Sequence, residues 1–436
     1  MQEDRFNQDF FQFLQASPTP FHAVSFMAER LRDSGFRQLF ETDNWELDPG
    51  SSYFIIRDNG ALAAFTLVSN NSQDLGFRIM GAHTDSPSLQ IKPRAGKTTH
   101  SLFQLGVEVY GGPLLATWFD RDLSLAGRVV CATTEGVLTT LLVDFKRPMA
   151  FIPSLAIHFD REANNGRAIN RQKDLAPILS QVTGDDALNF SSILAEQIHK
   201  EHPDTKLATI MGFDLFCYDC QPPSFLGFGN EFITASRLDN LLSCFVGYTA
   251  MTEAGMDNNR LLICNNHEEI GSITAAGAKG SFLNSILKRI TPDPVVRDRA
   301  LRGSFLISMD NAHGVHPNFS DKSEPEHMPL LNHGPVIKAN ANQSYATSSV
   351  SGAVYKTIAS EAGVTTQDFV MRSDMACGST IGPHTAAILG IPTVDIGAPT
   401  LAMHSIRELT GSRDPFLLYR TIDQFLRREH LPQIEG

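Results

Sequence analysis

Four short apolar segments, far apart in this 436-residue chain, each lead to residues that can bind a metal ion. They are residues 79–82 before His83, residues 261–264 before Asn265-Asn-His-Glu-Glu269, residues 305–309 before Asp310, and residues 394–397 with His404 beyond. Short apolar runs of this kind are typical of the buried strands of a parallel sheet. Because ligands of open α/β sheets bind beyond the carboxyl ends of the strands, we expect these polar residues to converge at one sheet edge.

The pattern between these segments indicates an α/β protein. Two helices are predicted before residue 36, separated by Ser17-Pro-Thr-Pro20, and Asp58-Asn-Gly60 predicts a hairpin. Helical patterning returns after Asp239 and over residues 352–362 and 415–427. We therefore predict a three-layer α/β sandwich around a mostly parallel central sheet.

The chain is long enough for two domains, because single cores stop growing at about 250–300 residues. Residues 93–229 alternate apolar and polar positions between frequent glycines, which is typical of β structure. We therefore predict a discontinuous catalytic domain of residues 1–92 and 230–436. Residues 93–229 would form an inserted, mostly β second domain.

Charge and hydropathy argue against several classes of function. The formal net charge is −12 and the basic residues are scattered, which disfavours a nucleic-acid-binding or membrane-surface protein. No apolar run approaches the about 20 residues that span a bilayer, and the acidic N-terminus has no apolar core like that of a signal peptide. We expect a cytoplasmic protein.

The six cysteines do not form a disulfide framework, which fits a reducing compartment. Only Cys217 and Cys220 have the spacing of metal ligands. A single pair of this kind is weak support for a zinc site, so two ordinary thiols are the favoured interpretation.

The polar residues of the four segments have ordinary interpretations when each is taken alone. Asp239, for example, could serve only as the N-cap of the helix that follows. Together, however, the carboxylates of Asp239, Glu269 and Asp310 would repel one another at a sheet edge unless cations lay between them. Two divalent ions balance these charges, and a metal pair about 3.5–4 Å apart can activate water and polarise an amide carbonyl. A further acid would have to serve as the base.

Five segments carry a resemblance to a known family. They are His83-Thr-Asp-Ser-Pro87, Ser236-Arg-Leu-Asp-Asn240, Asn266-His-Glu-Glu-Ile-Gly-Ser272, Met309-Asp-Asn-Ala-His313 and Met403-His-Ser-Ile-Arg-Glu408. In this order they resemble the motif set of the aspartyl aminopeptidases, of the bacterial type. Residues 17–24 and 152–158 are similar to further segments of that family, so the resemblance extends over about residues 17–408.

The resemblance implies a complete site for two divalent ions per chain. Asp239 would bridge the ions, with His83 and Asp310 on one ion and Glu269 and His404 on the other. Zinc is the favoured metal, although cobalt and manganese accept the same ligands.

The same resemblance implies the residues that act beside the metals. Glu268 would be the general base, and Asp85 would accept the proton on the other ring nitrogen of His83. The wider group of two-metal peptidases has a cis peptide bond at the position of Asp239-Asn240, so we expect one here.

Substrate selection and assembly follow from the resemblance as well. Lys338 and Tyr345 would bind an acidic side chain of the substrate, and His158 would reach the active site of a neighbouring subunit. Where similar sequences have a basic residue before the tyrosine, this chain has Ser344, which leaves a broader specificity open. Family members form dimers through the inserted domain, and the dimers assemble into a hollow dodecamer that admits short peptides, so we expect self-association.

We therefore predict a metalloexopeptidase, an aminopeptidase that releases N-terminal residues, Asp or Glu foremost, from short peptides. The same metal pair could instead deacylate N-acyl amino acids, since only an amide carbonyl is required. A third alternative is a non-catalytic metal-binding scaffold, but such a protein has no need for Glu268.

Overall fold

The computed structural model describes residues 2–68, 76–183, 188–255 and 257–432. The chain forms two compact units. The first unit consists of Met1–Asp85, Pro223–Met403 and Glu408–Gly436, and the second of Ser86–Pro222 and His404–Arg407. The predicted insertion and the second unit overlap over residues 93–222, and the predicted boundaries and the role of the insertion remain proposals.

The helices and strands are numbered in chain order. The helices are α1 (Glu3–Ala16), α2 (Pro20–Asp33), α3 (Phe190–Glu201), α4 (Leu238–Glu253), α5 (Phe282–Ile290), α6 (Pro294–Arg302), α7 (Ser349–Glu361), α8 (Ile381–Leu389) and α9 (Asp414–Arg427). The strands are β1 (Arg37–Leu39), β2 (Ser51–Arg57), β3 (Ala61–Leu67), β4 (Arg78–His83), β5 (Ser88–Thr99), β6 (Leu102–Tyr110), β7 (Leu123–Thr133), β8 (Leu138–Asp144), β9 (Ile178–Gln181), β10 (Leu207–Asp219), β11 (Ser224–Leu226), β12 (Phe232–Ala235), β13 (Arg260–Asn265), β14 (Phe305–Met309), β15 (Ala312–His313), β16 (Val336–Ala339), β17 (Gln367–Val370), β18 (Thr393–Gly397), β19 (Pro399–Leu401) and β20 (Glu408–Gly411). No helix in the described part of the chain is long and apolar enough to cross a membrane.

The first unit contains a nine-stranded sheet with the order β1-β2-β3-β13-β4-β14-β18-β16-β17. Its neighbours β13, β4, β14 and β18 pair in parallel. Asn265 at the end of β13 lies in register with His83 at the end of β4. Because β14 ends at Met309, the residues after three of these strands emerge at one edge of the sheet.

Alternate residues of the central strands enter two different cores. Leu262 and Cys264 of β13 join a cluster with α1, α2, α4, α7 and α9, whereas Leu261 and Ile263 join a cluster with α5. This division follows from the pleat of a strand, which points successive side chains to opposite faces. Helices therefore cover both faces of this part of the sheet.

Two local predictions near the N-terminus are confirmed. α1 ends at Ala16, and the Thr19 hydroxyl accepts the His22 N–H at the start of α2. β2 and β3 form an antiparallel hairpin, with φ of 52° at Asp58 and 57° at Asn59. The Gly60 N–H donates to the Arg57 carbonyl at 3.1 Å, so the two left-handed residues are the central positions of a turn, and Arg57 pairs with Ala61 across it.

The remaining sheets are smaller. The first unit also has a five-stranded sheet, in the order β11-β12-β20-β19-β15. The second unit has a six-stranded sheet in the order β8-β7-β10-β5-β6-β9, whose pairs are all antiparallel. α3 packs on this sheet through Leu194 and Ile198.

Asp414 is a fully buried carboxylate at the start of α9. Its Oδ2 accepts the Asn332 N–H at 2.7 Å and its Oδ1 accepts the Gly334 N–H at 3.2 Å. Burial raises the pKa of Asp414 to about 7, although these backbone hydrogen bonds oppose the shift. The carboxylate thus ties the loop before β16 to α9.

We predict that Asp414→Asn destabilises the fold, and more so at acidic pH. The folded protein holds the Asp414 proton more tightly than the unfolded chain, where the pKa is near 3.8. The stability from this group is therefore present at acidic pH and is lost as the pH rises through about 7. Asparagine cannot ionise and turns an amide N–H toward a backbone N–H, so we expect a loss of about 1–3 kcal/mol at pH 5. Urea unfolding of both proteins should show a smaller difference at pH 8.5; an equal difference at both pH values contradicts this interpretation.

Candidate metal centre

The centre of the site is His83, whose side chain is 1% exposed at the carboxyl end of β4. Its Nε2 lies 3.4 Å from Asp239 Oδ1 and 3.5 Å from Asp310 Oδ1. One ligand atom from each of these three residues lies within 4.8 Å of the other two. An imidazole nitrogen and two carboxylate oxygens at this spacing can share one cation.

A second group of possible ligands overlaps the first. His83, Glu268 and Glu269 also offer one ligand atom each within 4.8 Å of one another. Both glutamates lie in a 3₁₀ turn that follows β13, after His267 in the left-handed conformation. The structure therefore brings four predicted ligands and the predicted base together within the first unit.

Asp239 is fixed by its neighbours in the first unit. The Asp239-Asn240 peptide bond is cis, which confirms that prediction. The Asp239 N–H donates to Glu408 Oε2 at 3.0 Å, and Asn240 Nδ2 donates to the Met309 carbonyl at 2.8 Å. The segment that presents the carboxylate is thus attached both to β20 and to the end of β14.

Asp85 contacts both His83 and the turn that carries Glu268 and Glu269. Its carbonyl oxygen lies 3.0 Å from His83 Nδ1, whereas its carboxylate oxygen lies 3.5 Å away. The carboxylate accepts the Glu268 N–H at 3.1 Å and the Glu269 N–H at 3.2 Å. Asp85 therefore orients the histidine ring mainly with its backbone and holds the two-glutamate turn with its side chain.

Lys338 and Tyr345 lie beside Asp310. The Lys338 side chain is 2% exposed, and its Nζ lies 3.3 Å from Asp310 Oδ2 and 3.2 Å from the Asn311 carbonyl. The ammonium is 5.2 Å from the centre of the Tyr345 ring, which is also buried. Lys338 thus contacts a predicted ligand directly, and its role toward the substrate stays a proposal.

Two predicted site residues belong to the second unit. His404 Nδ1 lies 3.2 Å from the Gly112 carbonyl, and the His404 carbonyl accepts the Leu114 N–H at 2.9 Å. A carbonyl partner on Nδ1 leaves Nε2 as the nitrogen that can bind a metal. His158 is exposed. The assignment of both residues remains a prediction.

The pKa values of the buried groups indicate that the site favours positive charge. Burial alone would lower the pKa of His83, but hydrogen bonds to Asp239, Asp310 and Asp85 raise it well above 6.5. Burial raises the pKa of Glu268 to about 7 and holds that of Glu269 well above 4.5, and nearby carboxylates add to both shifts. The raised pKa values of the two glutamates and of His83 thus favour added positive charge at this place, which zinc ions would also supply, and the set of nitrogen and oxygen donors suits zinc.

Three contacts of the site had no signal in the sequence. They are the Glu408 carboxylate on the Asp239 N–H, the Asp85 carboxylate on the two-glutamate turn, and Lys338 beside Asp310. Each joins residues 28 or more positions apart, so local periodicity cannot reveal them. Cys217 and Cys220 are free thiols, and neither is in a cluster of potential ligands in the described part of the chain.

The chain is similar to known proteins along nearly its whole length. A family model described as "Aminopeptidase I zinc metalloprotease (M18)" matches residues 13–426. "Probable M18 family aminopeptidase 2" of Stutzerimonas stutzeri (strain A1501) is 48% identical over 429 residues, which cover 98% of this chain and 100% of the relative. The protein of that name from Azotobacter vinelandii (strain DJ / ATCC BAA-1303) is 48% identical over 426 residues, or 98% and 99% of the two chains.

Solved structures agree with this similarity. "Cryo-EM structure of the Ape4 and Nbr1 complex" contains a chain that is 38% identical, with a TM-score of 0.93 and coverage of 97% of this chain and 86% of that one. "Structure of S. cerevesiae mApe1 dodecamer" is 30% identical, with a TM-score of 0.84 and coverage of 97% and 96%. The mixed α/β fold class is thereby confirmed.

We predict that chelation destabilises the protein more at pH 8 than at pH 5.5. In the metal-free protein the pKa of Glu268 is raised from 4.5 to about 7, so its contribution to stability is present at acidic pH and is lost as the pH rises through about 7. Zinc binding, in contrast, requires deprotonated ligands and strengthens as the pH rises. Thermal unfolding should be measured for the zinc-loaded and the chelated protein at both pH values. The difference between their unfolding temperatures should be several degrees larger at pH 8 than at pH 5.5. A gap that does not change with pH would contradict this prediction.

Proposed function

The chain belongs to the M18 family of zinc aminopeptidases, and we propose from this premise that it releases N-terminal amino acids, acidic ones foremost, from short peptides. As a member of that family it is a hydrolase and a metalloprotease. The acidic preference, the number of ions and the residue roles below are parts of the proposal.

The metal ligands are assigned as the resemblance implies. His83 and Asp310 would hold one ion, Glu269 and His404 would hold a second, and Asp239 would serve as a ligand of both. The convergence of His83 Nε2 with the oxygens of Asp239 and Asp310 supports this assignment. Bound zinc lowers the pKa of water toward 7 and polarises the scissile carbonyl.

Glu268 is the general base. It is not among the assigned metal ligands, yet its ligand atom lies within 4.8 Å of those of His83 and Glu269, so its carboxylate can accept and return a proton beside the ions. A carboxylate oxygen of Glu268 takes a proton from the attacking water and passes it to the nitrogen of the leaving amine. Asp85 positions this group, because it accepts the backbone N–H of Glu268. The placement of this carboxylate within 4.8 Å of the ligand atoms of His83 and Glu269 is the observation that carries the proposal.

Lys338 and Tyr345 form the side of the site that receives the substrate's N-terminal side chain. Lys338 supplies a positive charge that attracts a carboxylate, and the Tyr345 ring packs over its ammonium. Among the described residues, Lys338 is the single cation of this side of the site, because position 344 carries a serine. The expected preference for Asp and Glu over neutral residues is therefore moderate in size.

The chain self-associates through its second unit. Leu155, Ile157 and Phe159 are 50%, 46% and 81% exposed, and they flank His158 in one short segment. Three exposed apolar side chains so close together are typical of an interface. The similar mApe1 protein forms a dodecamer, which supports an assembly of the same kind, with His158 contributed to a neighbouring subunit.

We predict that Glu268→Gln abolishes turnover and leaves zinc in place. Glutamine keeps the shape of the side chain but cannot accept a proton, so kcat should fall about 10²–10⁴-fold. The measurement is release of free amino acid from dipeptides that begin with Asp, Glu, Ala or Leu, together with zinc content. Glu361→Gln, at an exposed position, is the matched control and should behave as wild type.

Two outcomes would count against this assignment. Full activity in Glu268→Gln removes Glu268 from the mechanism. Release of nothing from any dipeptide by the zinc-loaded wild type removes the aminopeptidase function itself, and N-acyl amino acids would then be the next substrates to test.

We predict that Phe159→Asp reduces the molar mass of the assembly in solution. A buried aspartate at an apolar interface lacks a partner, so the subunit contact weakens. Light scattering after size-exclusion chromatography measures the mass. Val295→Asp, at another exposed apolar position (68% exposed), is the control that should keep the wild-type mass. An unchanged mass for Phe159→Asp would place the interface elsewhere.

A further inference from the structure

Asp395 is a buried carboxylate that the mechanism above does not use. It is 0% exposed on β18 and lies in register with Ser308 of the parallel strand β14. β14 ends one residue before Asp310, so Asp395 is one strand away from a proposed metal ligand. Burying a carboxylate is costly, and the residues around it show what compensates.

The Asp395 carboxylate is held in one position. Oδ2 accepts the Ala346 N–H at 2.6 Å, and Oδ1 accepts the Thr380 hydroxyl at 2.7 Å. The Asp395 N–H donates to Thr347 Oγ1 at 2.9 Å. Gly382 lies so close that a Cβ there would collide with the carboxylate. The side chain therefore has no room to turn away from these partners.

These hydrogen bonds fix the segment that carries Tyr345. Ala346 and Thr347 follow Tyr345 directly, and both are bonded to Asp395. The Tyr345 ring in turn covers the Lys338 ammonium. Asp395 thus determines where the substrate-facing ring lies without touching the substrate.

Asp395 also shares the charge of Lys338. β16 and β18 pair Val336 with Gly397 and Ile337 with Ile396, and Lys338 and Asp395 are the next residues of the two strands beyond these pairs. Burial raises the pKa of Asp395, and the positive charge of Lys338 opposes that shift. Lys338 therefore lies under the influence of two carboxylates, Asp310 and Asp395.

We propose that Asp395 is a positioning residue that sets the side-chain preference of the enzyme, by fixing Tyr345 and by offsetting the charge of Lys338. This inference rests on the proposed function. When Asp310 binds a metal ion, its charge is engaged by that ion, and Asp395 remains as the counter-charge of Lys338. The net charge felt by a substrate carboxylate then depends on Asp395.

The test is the ratio of kcat/KM for a dipeptide with N-terminal Asp to kcat/KM for one with N-terminal Ala. Asp395→Asn removes the charge and keeps the shape. Its amide oxygen can accept the Ala346 N–H, while its NH₂ donates to the Thr380 hydroxyl. With the counter-charge gone, the ratio should rise about tenfold, the size expected for one charge acting over several ångströms in a protein interior. Asp395→Ser makes the same charge change if Asp395→Asn does not fold.

Three further variants separate this effect from a loss of structure. Asp414→Asn also replaces a buried carboxyl group by an amide, but outside the site, and at an assay pH of 8.5 should leave the ratio unchanged. Thr380→Val removes a hydrogen bond and keeps the charge, so the ratio should stay near that of wild type. Lys338→Met removes the cation, and in that background Asp395→Asn should no longer raise the ratio.

An unchanged ratio in Asp395→Asn, with wild-type activity present, overturns this inference and leaves the proposed function intact. So does an equal rise in Asp414→Asn or in the Lys338→Met background. If wild type has no peptidase activity, the proposed function fails, and calorimetric binding of L-aspartate and L-alanine to the zinc-loaded proteins replaces the rates. A binding ratio that rises in Asp395→Asn then supports the inference; one that does not, or no binding at all, overturns it.

Discussion

The site depends on the repulsion among carboxylates that the fold gathers around one buried imidazole. Asp239 and Asp310 approach the same nitrogen of His83 within 3.5 Å, and Glu268 and Glu269 lie beside them. So many acids can share a buried space only if protons or cations neutralise them. In the metal-free protein protons do so, which is why the pKa values of His83, Glu268 and Glu269 are all raised. Zinc, the metal of the family, meets the same need and adds catalytic chemistry.

Different neighbouring residues hold the backbone of these acids and contact their carboxylates. Glu408 and Asp85 accept backbone N–H groups of the loops that carry Asp239, Glu268 and Glu269. Their side chains therefore fix the loops and leave the ligand oxygens available. Among the described residues, Asp310 has two ion-pair partners of opposite charge, His83 and Lys338.

Lys338 is the residue through which Asp395 would influence the binding of the substrate. A lysine that is 2% exposed must have its charge balanced inside the protein, since burial of an unpaired ammonium is costly. Asp310 and Asp395 both supply that balance, but only Asp395 is not assigned to a metal. The preference for acidic substrates therefore depends on how far the negative charge of Asp395 already offsets the positive charge of Lys338.

The sequence by itself determined the local elements and the candidate ligands. Pro and Thr before α2 and Asp58-Asn-Gly60 in the hairpin act through backbone geometry, which a few adjacent residues decide. The apolar runs that end in His83 and Asp310 indicated strands, and the five motifs indicated the family. Only the tertiary structure decided which groups hold these residues. Lys338 reaches Asp310, and Asp395 reaches Ala346, because β14, β18 and β16 are neighbours in the sheet although they are far apart in the chain. Strand order follows from the packing of both sheet faces against helices, which no local pattern encodes.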